Sequence, residues 1–201
     1  GDALPQSQRG YVPPVQGKNL VLTVDEVIQF ICERELENAV KQSNAAGGLV
    51  IAMDPNNGEI LAMAMSPTYD PNRYDEYPAE NRRITAVADS FPPGSTFKPI
   101  TAAAALESGA VTVNDTFYCG GSTRVLSETL YCHVTSGHGS QTFAEVIMNS
   151  CNIGFIQIAQ RTGIENFYKY LDLLGATSTT GIDLPGEVSG ILPAEKDATA
   201  L

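Results

Sequence analysis

The stretch Phe91-Pro92-Pro93-Gly94-Ser95-Thr96-Phe97-Lys98-Pro99 constrains this chain more than any other. Its prolines fix φ and its glycine admits conformations closed to other residues, so the backbone must pass through a tight, irregular turn. The run Ile100-Thr101-Ala102-Ala103-Ala104-Ala105-Leu106 that follows is strongly helix-forming. Ser95 therefore falls where a helix begins, beside unpaired backbone N–H groups and the positive end of the peptide dipoles. That setting suits an attacking oxygen and a developing oxyanion. Lys98 comes three residues later, and residues at i and i+3 share a helix face, so its amine can reach the Ser95 hydroxyl. Pro99 lacks the N–H that would bond the Ser95 carbonyl, which predicts a distorted first turn. To accept a proton, Lys98 must at some point be neutral, and that requires burial or nearby positive charge.

Taken alone, Ser-x-x-Lys is a weak signal whose plain reading is a surface helix with an N-cap serine. A second group, Ser150-Cys151-Asn152, lies between two helical patterns further along the chain. By itself it too has a plain reading, a helix-terminal pair satisfying backbone groups. The two groups together, in this order, are the first two parts of the Ser-x-x-Lys, Ser-x-Asn, Lys-Thr-Gly signature, here with Cys in the middle of the second part.

On these residues the chain resembles the transpeptidase domain of class B penicillin-binding proteins, the septal and elongation enzymes that cross-link peptidoglycan. Four segments carry the likeness: 49–63, Pro93-Gly-Ser-Thr-Phe-Lys-Pro99, Gly137-His-Gly139 leading into Asn149-Ser-Cys-Asn152, and Thr180-Gly-Ile-Asp-Leu-Pro-Gly186. The resemblance implies an α+β fold of the β-lactamase and transpeptidase type, an antiparallel sheet flanked by helices plus an all-α subdomain. It further implies that Ser95 is the acylated nucleophile and Lys98 its base. Ser150 would relay a proton between Lys98 and the leaving amine, and Asn152 would hold Lys98 and the substrate amide. The implied partners are D-Ala-D-Ala stem peptides, β-lactam antibiotics and other cell-wall synthesis proteins, at the extracytoplasmic face of the bacterial membrane. The same chemistry with water as acceptor would make a β-lactamase or a D,D-carboxypeptidase, and a non-catalytic β-lactam sensor or scaffold stands as a further alternative.

The ends fit the same comparison. Residues 1–17, rich in Pro, Gly and Gln, read as a linker from an upstream non-catalytic domain, and 18–201 as the N-terminal part of the transpeptidase domain. The chain contains no Lys-Thr-Gly run, so the third part of the signature is expected outside it, and a membrane anchor upstream. A chain lacking that strand is expected to acylate poorly.

Composition excludes other classes. The apolar fraction of 43% is that of a folded globular protein. A net charge of −11 repels nucleic acid and anionic lipid, and no basic patch offsets it.

Between these landmarks, Thr23 and Glu26 read as a capping box opening an amphipathic helix that runs to Gly47-Gly48. Leu49 to Met53 and Glu59 to Met65 flank turn chemistry at Asp54-Pro55-Asn56-Asn57-Gly58, predicting a hairpin covered on both faces. Ser66 to Asn81 reads as an irregular excursion with packing tyrosines. Residues 116–133 read as short β-prone runs forming a small hairpin or loop pair near the cleft rim, and Thr142 with Glu145 as a second capping box. Helices ending at Gly163 and before Gly175 follow.

Cys119 and Cys132 fall at mirrored positions of an expected hairpin, and the extracytoplasmic location implied by the resemblance makes a disulfide between them an expectation beside two free thiols. His133 and His138 with Cys119 and Cys132 form a conceivable four-ligand set, but their spacing is not that of paired-ligand knuckles. In the family a glycine turn precedes the second motif and accounts for His138. Neither metal nor cofactor is expected.

Overall fold

The computed structural model describes residues 13–195 and 198. Of the expected linker, residues 1–12 lie outside the described part, and 13–17 are exposed and in no regular element. The chain divides into two compact units, Gly1–Arg82 and Arg83–Leu201.

In the first unit α1 (Glu26–Ser43) packs on an antiparallel hairpin of β1 (Gly48–Met53) and β2 (Ile60–Ser66). The helix does not start with the expected Thr23 box. Asp25 is the N-cap, its Oδ1 accepting the N–H groups of Val27 and Ile28 at 2.9 Å each. A carboxylate outcompetes a hydroxyl for these donors, and the Thr23 hydroxyl instead donates to the Ile60 carbonyl at 2.6 Å. At the other end Asn44 adopts the left-handed conformation (φ 50°) and stops the helix ahead of the glycines expected to do so. The hairpin register runs from Gly48 opposite Ser66 to Ala52 opposite Ala62, with an irregularity at Ala52/Met53. Leu36, Ala62 and Ala64 are buried. The Gln29 amide accepts from Met63 N at 2.8 Å and donates to Met63 O at 3.0 Å, closing backbone groups of β2. Within this unit α1 is the helix that packs on the hairpin, and Ile51 and Met53 stay 41% and 56% exposed. Beyond β2 the chain makes two 3₁₀ turns, Pro71–Glu76 and Ala79–Arg82, and Tyr69 and Tyr77 pack edge to face at 6.4 Å, the packing role expected of these tyrosines.

The second unit begins with the short α2 (Thr85–Ala88), a 3₁₀ turn (Gly94–Phe97) and α3 (Lys98–Glu107). β3 (Thr116–Cys119), β4 (Ser122–Val125), β5 (Glu128–Tyr131) and β6 (Gly139–Thr142) follow, then α4 (Phe143–Met148), α5 (Asn152–Thr162) and α6 (Ile164–Leu173). The strands pair as β3 with β6 and β4 with β5, both antiparallel. Residues 116–133 are therefore not one hairpin, because the first strand reaches past the β4–β5 hairpin to β6. α3, α5 and α6 pack together, with β3 against α5. Their shared core includes Ala102, Ala105, Phe117, Phe143, Val146, Phe155 and Ile158. The box predicted at Thr142 is present, Thr142 Oγ1 accepting from Glu145 N while the Glu145 carboxylate accepts from Thr142 N. Gly154 permits α5 to approach α4 closely, since a Cβ there would stand 2.6 Å from Val146 Cγ1. The whole is the expected α+β mixture of antiparallel strand pairs and helices. Among the described residues no helix is long and apolar enough to cross a membrane.

Candidate active site

Every candidate catalytic side chain belongs to the second unit. Pro93 and Gly94 (φ 59°) turn the chain into the 3₁₀ segment, and Ser95 lies on it, exposed to solvent. The Lys98 N–H donates to the Ser95 carbonyl, an i to i+3 bond. The distorted first turn thus has a definite form: Pro99 cannot supply the α-helical bond, and the tighter 3₁₀ bond from the preceding residue satisfies that carbonyl instead. Lys98 then opens α3.

Ser150 sits just past the end of α4. Its N–H donates to Ile147 O, and Cys151 N donates to Val146 O, both at 3.0 Å, the paired bonds that close a helix C-terminus. The left-handed residue of this motif is ordinarily glycine, but here Ser150 itself takes φ 47°. A side chain in that conformation costs roughly 1 kcal/mol, and the hydroxyl it carries is directed at Lys98. Cys151 caps α5 through a Gly154 N–H to Sγ contact at 3.3 Å, and Asn152 is the first residue of that helix.

Lys98 Nζ donates to Ser150 O at 2.6 Å, Asn152 Oδ1 at 2.7 Å and Ser150 Oγ at 3.0 Å. Asn152 Nδ2 in turn donates to the Tyr131 carbonyl at 3.0 Å, which fixes the orientation of the amide. Among the described residues no hydrogen bond joins Ser95 Oγ to Lys98. The fold thus brings Lys98, Ser150 and Asn152 together, and Ser95 lies one turn before the amine, its hydroxyl in no hydrogen bond among the described residues. Burial lowers the Lys98 pKa, opposed by the neighbouring Cys132 and Cys151 sulfurs. The Phe155 ring, 5.4 Å from Nζ, also favours the cation. A groove of about 610 Å³ opens beside Lys98 and Asn152, walled by Leu130, Phe155, Ile156, Ile164 and Phe167.

Behind the second motif the cysteines are arranged differently from the sequence reading. Cys119 ends β3 opposite Gly139 of β6, whereas Cys132 follows β5, so the two do not mirror each other across one hairpin. All four cysteines are free thiols. Cys119, Cys132 and Cys151 are buried, and one ligand atom from each, with one from His138, lies within 4.8 Å of the others. The four-residue set drawn from sequence included His133, whose place Cys151 takes. Burial works against ionisation of Cys132, but N–H donors from Val134 and Asn152 and the thiols of Cys119 and Cys151 outweigh it and lower its pKa. Burial raises Cys151. Sequence reasoning missed two contributors, the main-chain carbonyl of Tyr131 and the sulfur of Cys151. A carbonyl has no sequence signature, while Cys151 stood in view as the middle of the motif.

A helix-borne serine with a lysine one turn on, its amine held by a Ser-x-Asn turn from the next helix pair, defines the penicillin-recognising acyltransferases as a class. Residues 48–200 match the penicillin-binding protein transpeptidase domain, and the chain belongs to that family. Stage V sporulation protein D of Bacillus subtilis is 43% identical over all of this chain and 32% of its own length. A probable peptidoglycan D,D-transpeptidase, PenA of Neisseria gonorrhoeae, is 34% identical over 89% of this chain and 30% of its own length. Among solved structures, penicillin-binding protein 3 of Mycobacterium tuberculosis superposes with a TM-score of 0.85 at 30% identity, over 94% of this chain and 43% of that one. The same protein complexed with aztreonam superposes at 0.84. The chain spans about a third of the length of these curated relatives.

Proposed function

We propose that this chain carries the nucleophile and the proton-handling groups of a peptidoglycan D,D-transpeptidase working at the outer face of the bacterial membrane. The observation that carries the reading is the triple engagement of Lys98 Nζ by Ser150 and Asn152, in a family fold, one turn from a free serine hydroxyl. In acylation Ser95 Oγ attacks the carbonyl of the penultimate D-Ala, giving its proton to neutral Lys98. The terminal D-Ala leaves with a proton relayed through Ser150, and an ester to Ser95 remains. An amine of a second stem peptide then attacks that ester, restoring the serine and forming the cross-link. A β-lactam enters by the same first step, and its ester persists where no amine or activated water reaches it.

The test is to incubate the protein with excess labelled penicillin, following adduct mass and drug loss together. We expect a slowly formed but persistent adduct on Ser95 that Ser95→Ala abolishes without altering the circular dichroism spectrum. Label retained by Ser95→Ala would overturn the assignment, rapid drug turnover would make the protein a hydrolase, and no adduct would make it a scaffold or a site that needs the Lys-Thr-Gly strand to react.

A further inference from the structure

We propose that Cys119, Cys132, His138 and Cys151 bind one Zn²⁺ in a closed, structural tetrahedral site. The four donors come from separate places in the fold: the end of β3, the residue after β5, the loop entering β6, and the N-cap of α5. They converge within 4.8 Å without an ion. A tetrahedron with metal–sulfur bonds of ~2.3 Å has edges of about 3.8 Å, so closing on a metal asks for a contraction of at most ~1 Å. Three sulfurs and one imidazole, with no carboxylate among them, select Zn²⁺ over Mg²⁺ or Ca²⁺.

The surroundings suit thiolates. Backbone N–H groups of Val134 and Asn152 point at the Cys132 sulfur, and the Gly154 N–H points at that of Cys151. Gln141 is 3% exposed, its Nε2 has no conventional hydrogen-bond acceptor among the described residues, and it faces the Cys151 sulfur. A buried donor left without an oxygen acceptor is accounted for when the sulfur beside it carries charge. Gly137 (φ 80°) leaves no room for a Cβ against the Cys119 carbonyl, and this close approach delivers His138.

Binding is balanced by protons: three thiols lose one each, the imidazole binds as the neutral ring, and the site closes as a monoanion. Four protein ligands leave no open position, so the ion is not a Lewis acid for substrate. Its effect would be to pin Cys151, and with it Ser150 and Asn152 on either side.

The experiment uses the purified chain, reduced with a phosphine and stripped of metal, titrated with Co²⁺ and then Zn²⁺. We expect one equivalent of Co²⁺, with tetrahedral visible bands and near-ultraviolet thiolate-to-cobalt absorption, displaced by Zn²⁺. Cys151→Ser should lose about a third of the charge-transfer intensity, as one thiolate of three. His138→Ala should keep the thiolate bands and weaken Zn²⁺ binding by at least ~10-fold, while His133→Ala binds as the parent does. Both histidine variants remove a side chain outside the core, so loss of fold does not confound the comparison. Absence of a tetrahedral spectrum in the reduced parent would overturn the proposal, as would equal Zn²⁺ affinity in His138→Ala and the parent. A bridge between any two of the three cysteines in a non-reduced digest of the native protein would overturn it too.

Discussion

Lys98 presents three donors as an ammonium and finds three oxygens. Two of them, the Ser150 carbonyl and the Asn152 amide oxygen, only accept, whereas the Ser150 hydroxyl can also donate. When the amine is neutral its lone pair therefore has one partner in this set able to supply a proton, Ser150 Oγ. Because burial lowers the Lys98 pKa from its ordinary 10.5, the folded protein binds fewer protons than the unfolded chain between the lowered value and 10.5, so this lysine's contribution to stability rises with pH through that window. Acylation should rise with pH along a limb whose apparent pKa lies below 10.5, read from penicillin labelling rates. Lys98→Ala should lose that limb and slow labelling by about 100 to 10,000-fold. At position 150 the left-handed backbone and the hydroxyl separate cleanly. Ser150→Gly and Ser150→Ala both remove Oγ, but only glycine fits φ 47° without cost. Ser150→Gly should be more stable than Ser150→Ala by about 1 kcal/mol in urea unfolding, while both label slowly. Equal stabilities would refute the strain.

At the scale of elements the site depends on how α4 hands over to α5. The Thr142 and Glu145 box starts α4, the Ser150 turn ends it, and Gly154 lets the two helices touch. Gly154→Ala inserts a methyl where Val146 already stands and should cost about 1–3 kcal/mol, while moving Ser150 and Asn152 enough to slow labelling. Thermal unfolding and labelling rate measured on one sample check both. These elements were legible in the sequence because their signals are local: Thr142 with Glu145, the glycines after α5 and α6, the Asp54 to Gly58 turn. Where local signals compete, the sequence alone does not decide between them. Thr23 and Asp25 both offer an N-cap oxygen, and the charged one prevailed. The pairing of β3 with β6 was not legible, since short alternating strands do not encode their partners, and the neighbour in sequence was the natural guess. The misplacement of Cys119 and Cys132 on a single hairpin follows from that one error of pairing. In the same way, spacing alone pairs Lys98 with Ser95, whereas the grip of Ser150 and Asn152 on the amine is a contact between distant segments that the resemblance implies and to which only the fold gives distances.

For the molecule as a whole, charge sets behaviour that no single site does. With a net −11 and a pI near 4.5, solubility should pass through a minimum close to pH 4.5 and the protein should pass unretained through a DNA column at physiological salt. Retention there would mean that a local basic surface outweighs the global charge. The bonds that hold the Lys98 amine reach 52 and 54 residues along the chain. Distance along the chain is also order in time, because a polypeptide leaves the ribosome, and threads any membrane it crosses, from one end. The Ser95 turn and Lys98 emerge first, and the amine lacks these partners until the Ser150 turn follows and α5 docks. A growing chain therefore passes through a stage at which the Lys98 amine exists without the oxygens that hold it. The grip on the Lys98 amine forms only after the second motif has arrived.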